Sequence, residues 1–431
     1  MGLATGCTDS PHTRLARRTP LVLAFTALIS AGWTADARAA DAVTFWNEVA
    51  NTMTSPRGPA SMVDMAKVHI AIHDAVQSFE LRFEPYCATD PNASGSPSAA
   101  TAKAARDVLA GILPLTAPQL AALDLTYNTF LASNGLVGNA GIATGQLAAA
   151  CILQMRANDG SFPASFPPFN GDTAPGAWRP TATQPVSMAT PWLGSVVPFA
   201  LHDSTQLRPA PGPPALTSGL YARDYNEVKE LGAKLSTART PEQTELANFY
   251  SDNFLVLMQR NLRTIAETMG TDLGETARLF ALAEIAAADA LIGAWDAKLH
   301  YNFWRPVTAI HEGDFDGNAR TDGEPLWEPF IATPPYPDYS SGANNLTSSI
   351  MRTVELFFRT DKITFDMESK AAAATQKFRT YHRLSEITQD VIDVRVYQGI
   401  HFRFADEVAY RTGRRSADWA FAHTLRPIGG N

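Results

Sequence analysis

Twelve prolines fall between residues 160 and 215, interleaved with many Gly, Ser and Thr. Proline fixes φ and brings no amide hydrogen, so neither a helix nor a regular sheet accommodates that density. The stretch must run as irregular chain, and loops of such length inside compact proteins are uncommon and often functional. Its aromatic residues Phe166, Phe169, Trp178, Trp192 and Phe199 argue for packing rather than disorder. The reading is a long wrap lying against other elements.

On either side the periodicity is helical. Met62, Met65, Val68, Ile72 and Val76 recur at helix spacing over about 58–80, and 98–157 is rich in Ala and Leu with a similar period. Strong patterns resume at 272–304, 343–358 and 366–425, whereas alternating apolar and polar runs with hairpin turns are scarce. The predicted class is all-α, with helical bundles sharing one core. An N-terminal helical region over 40–215 ends in the Pro-rich wrap of 160–215, and a C-terminal helical region covers 216–431.

Composition narrows the partners. The 431 residues are 45% apolar and 18% charged, which supports a globular chain. Lys plus Arg is 35 against 43 acidic residues, a net charge of −8 with no long basic run, so nucleic acid is not an expected partner. No stretch after the first forty residues approaches the roughly 18 apolar residues of a spanning helix, which argues against a transmembrane anchor.

Residues 1–39 read as a cleaved secretory signal peptide: Arg14, Arg17 and Arg18, then LVLAFTALISAGW, then Ala37 and Ala39 flanking Arg38. The segment holds four Arg and two Asp, so its removal takes the net charge from −8 to −10. The protein is expected to be exported, periplasmic or secreted, by a Sec or a Tat route. Cys7 would be lost, leaving Cys87 and Cys151 as either one disulfide or two buried thiols.

Three segments carry candidate chemistry. In DALIGAWDAKLHYNFWRPV, Lys298 and Arg305 are seven apart, which on one helix puts two cations on nearly the same face, with Pro306 fraying the helix end just before Arg305. In PPYPDYSSGANNLTSS, Ser341 and Gly342 sit at a helix start, where free amides, a hydroxyl and close approach suit a tetrahedral anion. In DVRVYQGIHFRFADE, Arg395 and His401 can act together only if the helix bends between them, which Gly399 permits. Singly, each has an ordinary reading: a solvated basic face, an N-cap, a core histidine.

In order, Lys298-x6-Arg305-Pro306, Ser341-Gly342 and Arg395-x5-His401 resemble the pattern of the vanadium-dependent haloperoxidase and type 2 phosphatidic acid phosphatase superfamily. WDAKLHYNFWRPVTAI, PPYPDY and GIHFRFA look like its bacterial, exported haloperoxidase-like branch. The resemblance implies an all-α fold with a pocket for vanadate, or phosphate as an alternative occupant. Lys298, Arg305 and Arg395 would neutralise the oxyanion, Ser341 and Gly342 would donate hydrogen bonds, and His401 would bind vanadium or attack phosphorus. Trp295 and Tyr336 fall where the chloroperoxidases place aromatic groups near halide. The implied activity is a vanadate-dependent peroxidase using hydrogen peroxide to oxidise halide or a small organic substrate. The alternatives are a phosphatase working through a phosphohistidine and a weakly catalytic oxyanion binder; a homo-oligomer is compatible with each.

One departure matters. Where the family reads Pro-Ser-Gly-His, this chain has Ser340-Ser341-Gly342-Ala343, so the second histidine, an acid/base group, is replaced by a methyl. Such a loss typically costs about 10²- to 10⁴-fold in rate. Rival readings are weaker. His69 and His73, four apart beside Asp74, could bind metal on a bundle but lack a matching pair, and DFDGNARTDGE at 314–324 lacks a calcium loop's central glycine and final glutamate. No G-x-S-x-G elbow supports a serine hydrolase.

Overall fold

The computed structural model describes Gly2 and residues 38–429. The signal-peptide reading of 1–39 therefore lies outside the described residues, apart from Gly2 and the backbone of residues 38 and 39. Helices α1 (Arg38–Thr54), α2 (Ser61–Glu80), α3 (Pro97–Ile112), α4 (Ala117–Ser133) and α5 (Gly141–Met155) precede the Pro-rich segment. After it come α6 (Gly219–Leu231), α7 (Pro241–Phe249), α8 (Phe254–Met269), α9 (Leu273–Tyr301), α10 (Pro306–His311) and α11 (Gly342–Phe358). A hairpin of β1 (Phe365–Glu368) and β2 (Phe378–Tyr381) leads to α12 (Leu384–Tyr397) and α13 (Arg403–His423). The fold is all-α in class, with this one antiparallel pair among the described residues.

Helix α9 organises the rest. Asp272 opens it by accepting the Glu275 amide at 2.8 Å, while the Glu275 carboxylate accepts the Asp272 amide at 3.1 Å. Between its ends Ala277, Ala281, Ala283, Ala286, Ala287 and Ala288 are fully buried, and such short side chains let α2, α11 and α13 approach closely. One hydrophobic core therefore runs continuously from Ala42 to Leu425. A second cluster contains Trp304, Tyr339 and Phe402. Each is next in sequence to a residue of the candidate site (Arg305, Asp338 and His401), so apolar burial fixes all three segments where they meet.

The Pro-rich wrap packs as its aromatics require. Trp178 and Leu193 are buried, and Asp289 of α9 accepts the amides of Phe199, Ala200 and Leu201 at 2.6, 2.7 and 2.9 Å. The Trp178 amide donates to Asn302 and the Trp304 amide to Gly176. Irregular backbone is thus satisfied partly by α9 and the turn after it and partly within the wrap, where the Asp172 amide donates to Trp178 O and the Met188 amide to Phe169 O.

The helical reading of 366–425 needs correction over its first part. Residues 365–381 form the hairpin, with Phe365 opposite Tyr381 and Glu368 opposite Phe378. Phe365 and Met367 are buried while Asp366 is exposed, a period of two too short to stand out beside the Ala-rich run 371–374. No described helix is long and apolar enough to cross a membrane.

Of the two readings left open for the cysteines, the structure has the bridge: Cys87, after α2, is bonded to Cys151 in α5. Their sequence separation of 64 restricts the unfolded chain by about 4 kcal/mol in the chain-entropy picture. Reduction is expected to lower the melting temperature by about 5 °C for a chain of this size. Calorimetry with and without reductant checks this, and coincident melting curves would refute it.

Candidate oxyanion site

Lys298 and Arg305 do not share a helix, contrary to the seven-residue spacing. Helix α9 ends at Tyr301, Asn302 turns left-handed with φ 46° and ψ 40°, and Arg305 is the residue capping α10, whose first position is Pro306. The proline begins a new helix rather than fraying the old one. The reversal brings both cations to one place, where both are fully buried. Lys298 Nζ donates to the carbonyls of Pro337 and Asp338 at 2.6 and 3.0 Å. Arg305 Nε donates to Tyr336 O at 2.8 Å and its Nη1 to Ile400 O at 2.6 Å, so one guanidinium joins the second and third segments.

Ser341 caps α11 and Gly342 is its first residue, as the sequence predicts. The Ser341 hydroxyl does not cap the helix; it faces the Asp406 carboxylate, which also accepts Asn344 Nδ2 at 2.8 Å. A Cβ on Gly342 would lie 3.2 Å from the Trp295 ring, so glycine permits the close approach of these two segments. Trp295 and Tyr336 stand with ring centroids 5.0 Å apart, and Lys298 Nζ is 5.7 and 5.1 Å from those rings.

The third segment bends as required. Helix α12 stops at Tyr397, Gly399 has φ 75°, and a Cβ there would meet Gly232 O at 2.3 Å. Arg395 Nη1 donates to Gln398 Oε1 at 2.7 Å. His401 Nδ1 lies 2.7 Å from Asp338 Oδ1, and its Nε2 lies 3.1 Å from Arg305 Nη1.

The charges explain the protonation states. Burial, reinforced by Arg305, Lys298 and Arg395, pushes His401 well below the ordinary histidine range, so the imidazole is neutral. Burial and Arg305 likewise lower Lys298. Asp338 is pushed up to about 7 by burial, against the opposing pull of Arg305 and Lys298, and burial raises Asp406 well above the carboxylate range. A neutral imidazole whose Nδ1–H is held by Asp338 presents Nε2 as a ligand or nucleophile.

Asp338, Asp406 and Gln398 are missing from the sequence reading. Other polar side chains of these segments and of the rival readings are engaged elsewhere. His300 is exposed and stacks edge-on against Tyr301, His311 Nε2 lies 2.7 Å from Trp327 O, and Asn345 Nδ2 donates to Ser340 Oγ. His69 contacts Asn47 through Nε2, His73 contacts Glu84 O, and Asp316 holds its own turn through Thr321 and Asn318.

A family model described as the VCPO second helical-bundle domain matches residues 278–430, a span holding all six of the cradle residues Lys298, Arg305, Ser341, Gly342, Arg395 and His401. Vanadium chloroperoxidase of Curvularia inaequalis is 34% identical over 93 residues, 19% of this chain. Over this C-terminal part the chain resembles the vanadium haloperoxidases. The matched stretch spans only 14% of that relative's length. Two solved haloperoxidase structures share the fold. A bacterial vanadium-dependent iodoperoxidase superposes with TM-score 0.76 at 20% identity, covering 90% of this chain and 98% of that one. A holo-type bacterial vanadium-dependent chloroperoxidase gives 0.68 at 18% identity, covering 85% and 91%.

The residues present fit a tetrahedral oxyanion such as vanadate. Arg305 Nη2 and Arg395 Nε are buried and have no hydrogen-bond partner among the described residues. Leaving such donors unpaired costs about 1–3 kcal/mol each, more for charged groups, and an anion's oxygens would satisfy them.

Proposed function

We propose that this protein is an exported vanadate-dependent peroxidase that uses hydrogen peroxide to oxidise halide or a small organic substrate. The observation that carries the reading is the meeting of unpaired buried guanidinium donors with a neutral histidine. Lys298, Arg305 and Arg395 would hold the oxyanion's charge, Ser341 and the Gly342 amide would donate to it, and His401 Nε2 would be the ligand to vanadium. Bound vanadate supplies a Lewis-acidic centre at which peroxide is activated. The chain's own part is preorganisation: cations fixed by backbone carbonyls stabilise negative charge without rearranging. Asp338 holds the Nδ1 proton of His401 and thereby sets which ring nitrogen is free.

Enclosure favours peroxide chemistry over ester hydrolysis. Lys298, Arg305, Ser341 and His401 are at most 1% exposed and Arg395 is 8% exposed, with Trp295 and Tyr336 against the lysine. Peroxide and halide are small, whereas an ester brings an organic group for which side chains must make room. The disulfide is consistent with export to an oxidising compartment.

The test is calorimetric titration of the purified protein with orthovanadate, with phosphate as competitor. Peroxide-dependent oxidation of iodide and bromide, and hydrolysis of a phosphate ester, are then assayed on the same preparation. Saturable vanadate binding with halide oxidation is expected. Ester hydrolysis without halide oxidation would replace this reading with the phosphatase, and absence of binding to both anions would leave no cofactor site.

A further inference from the structure

Helix α4 has little beneath it. Of its 17 residues only Leu123, Phe130 and Leu131 are buried, although a helix of this length draws most of its stability from packing rather than propensity. Its outward side is uncharged: Ala121, Leu125, Asn128 and Ala132 are exposed, at the three- and four-residue spacing that gathers them on one face. Helix α5 continues this character, with Leu147 and Met155 56% and 51% exposed against 66% for Leu125. Residues 117–155, which hold both helices, contain Asp124 as their one charged side chain, in a chain that is 18% charged. Beside α4 a groove of about 480 Å³ opens between α3 and α5. Arg106 in its lining donates through Nε to Asp124 at 2.8 Å, and Lys103 through Nζ to Asp107 at 2.9 Å, so its two cations are matched by two carboxylates. The helices and the groove make one face without net charge.

We propose that α4, α5 and the groove beside them are the contact between two copies of this chain, related by a two-fold axis. Charge selects the second copy. A chain of net charge −8 repels its own copy over most of its surface, and this face is where that repulsion is missing. Exposed leucine and methionine with charge depleted is the composition of an interface centre rather than of a solvated surface. A foreign protein finds no charge here by which to be chosen, whereas a self-complementary patch needs none, because each residue meets its counterpart or that residue's neighbour across the axis. Lipid fits less well: the stretch offers no Lys or Arg to headgroups, Phe130 is buried and Tyr127 half-buried. In the dimer α4 is covered on both sides, which supplies the packing that one copy leaves undone. Neither helix contributes a residue to the oxyanion cradle, so this contact and the peroxidase reading stand or fall separately.

Sedimentation velocity of the purified full chain over a concentration series tests this. A mass twice that of the chain is expected by about 10 µM. Leu125→Asp and, separately, Leu147→Lys each place a charge on the face from both copies at once, and each is expected to weaken the dimer about 30-fold or more, the effect of burying an unpaired charge. Both side chains are exposed in one copy, so each variant is expected to fold, which circular dichroism and a cooperative melt check. Leu235→Asp, at a leucine 90% exposed on the loop after α6, is the control and is expected to leave the dimer intact. A monomer at about 100 µM would overturn the proposal whatever the variants do, and a monomer that co-sediments with phosphatidylcholine vesicles would give the face to lipid instead. A dimer that both α4 and α5 variants leave unchanged would place the contact elsewhere and overturn it as well.

Discussion

Ala343→His is expected to raise peroxide-dependent halide oxidation by about 10²- to 10⁴-fold, the usual worth of a positioned acid/base group. Residue 343 lies in the first turn of α11, directly after Ser341 and Gly342, and is partly exposed between buried neighbours while its methyl packs against the core. A methyl can neither hold nor deliver a proton. The surrounding machinery does not depend on it: Lys298 and Arg305 are held by the carbonyls of residues 336–338 and 400, and His401 by Asp338. The variant should therefore gain turnover with little change in vanadate affinity. Steady-state oxidation of iodide and bromide, run beside hydrolysis of a phosphate ester, reads the outcome. A gain confined to the ester would mean that the cradle performs phosphoryl transfer. No gain in either reaction would mean that the missing histidine is not what limits this chain.

How much of this site could be read in advance depended on what kind of signal each part leaves. Helix α11 announced itself because burial on one face imposes a period near 3.6, and α2 and α9 through long, largely apolar runs without proline. The bend between Arg395 and His401 was legible because only Gly399 could supply it. Asp338 and Asp406 leave no such trace. Each is a single acidic residue in a mixed sequence, and its meaning arises only when segments 60 or more residues apart fold against one another. The same holds for Arg305. Its spacing from Lys298 suggested one helical face, whereas the two actually meet because Asn302 and Pro306 break the helix and turn the chain back. The cysteines were visible, but their pairing depends on where α5 packs. Local propensity is written along the chain, while convergence of charge is a property of the packed core.

His401→Ala is expected to weaken vanadate at least about 100-fold, since disturbing even the outer partners of a metal ligand costs 10- to 100-fold. Phosphate should weaken by less than about tenfold. Phosphate would be held by the guanidinium groups, Lys298 and the start of α11, all of which remain, whereas vanadium would also take an imidazole nitrogen. That nitrogen is available because burial among three cations keeps the ring unprotonated while Asp338 accepts from Nδ1. Removing the ring leaves Asp338 without that contact, a stability cost of about 1–3 kcal/mol, while Arg305 keeps its bonds to Tyr336 and Ile400. The variant should accordingly melt somewhat lower yet cooperatively, and a thermal scan separates that cost from the binding loss. The ratio of the two affinities carries the decision. If vanadate and phosphate weaken in parallel, His401 only shapes the cradle and is no ligand; if vanadate alone collapses towards the affinity of phosphate, the histidine supplies the bond that distinguishes a vanadium site from a general oxyanion pocket.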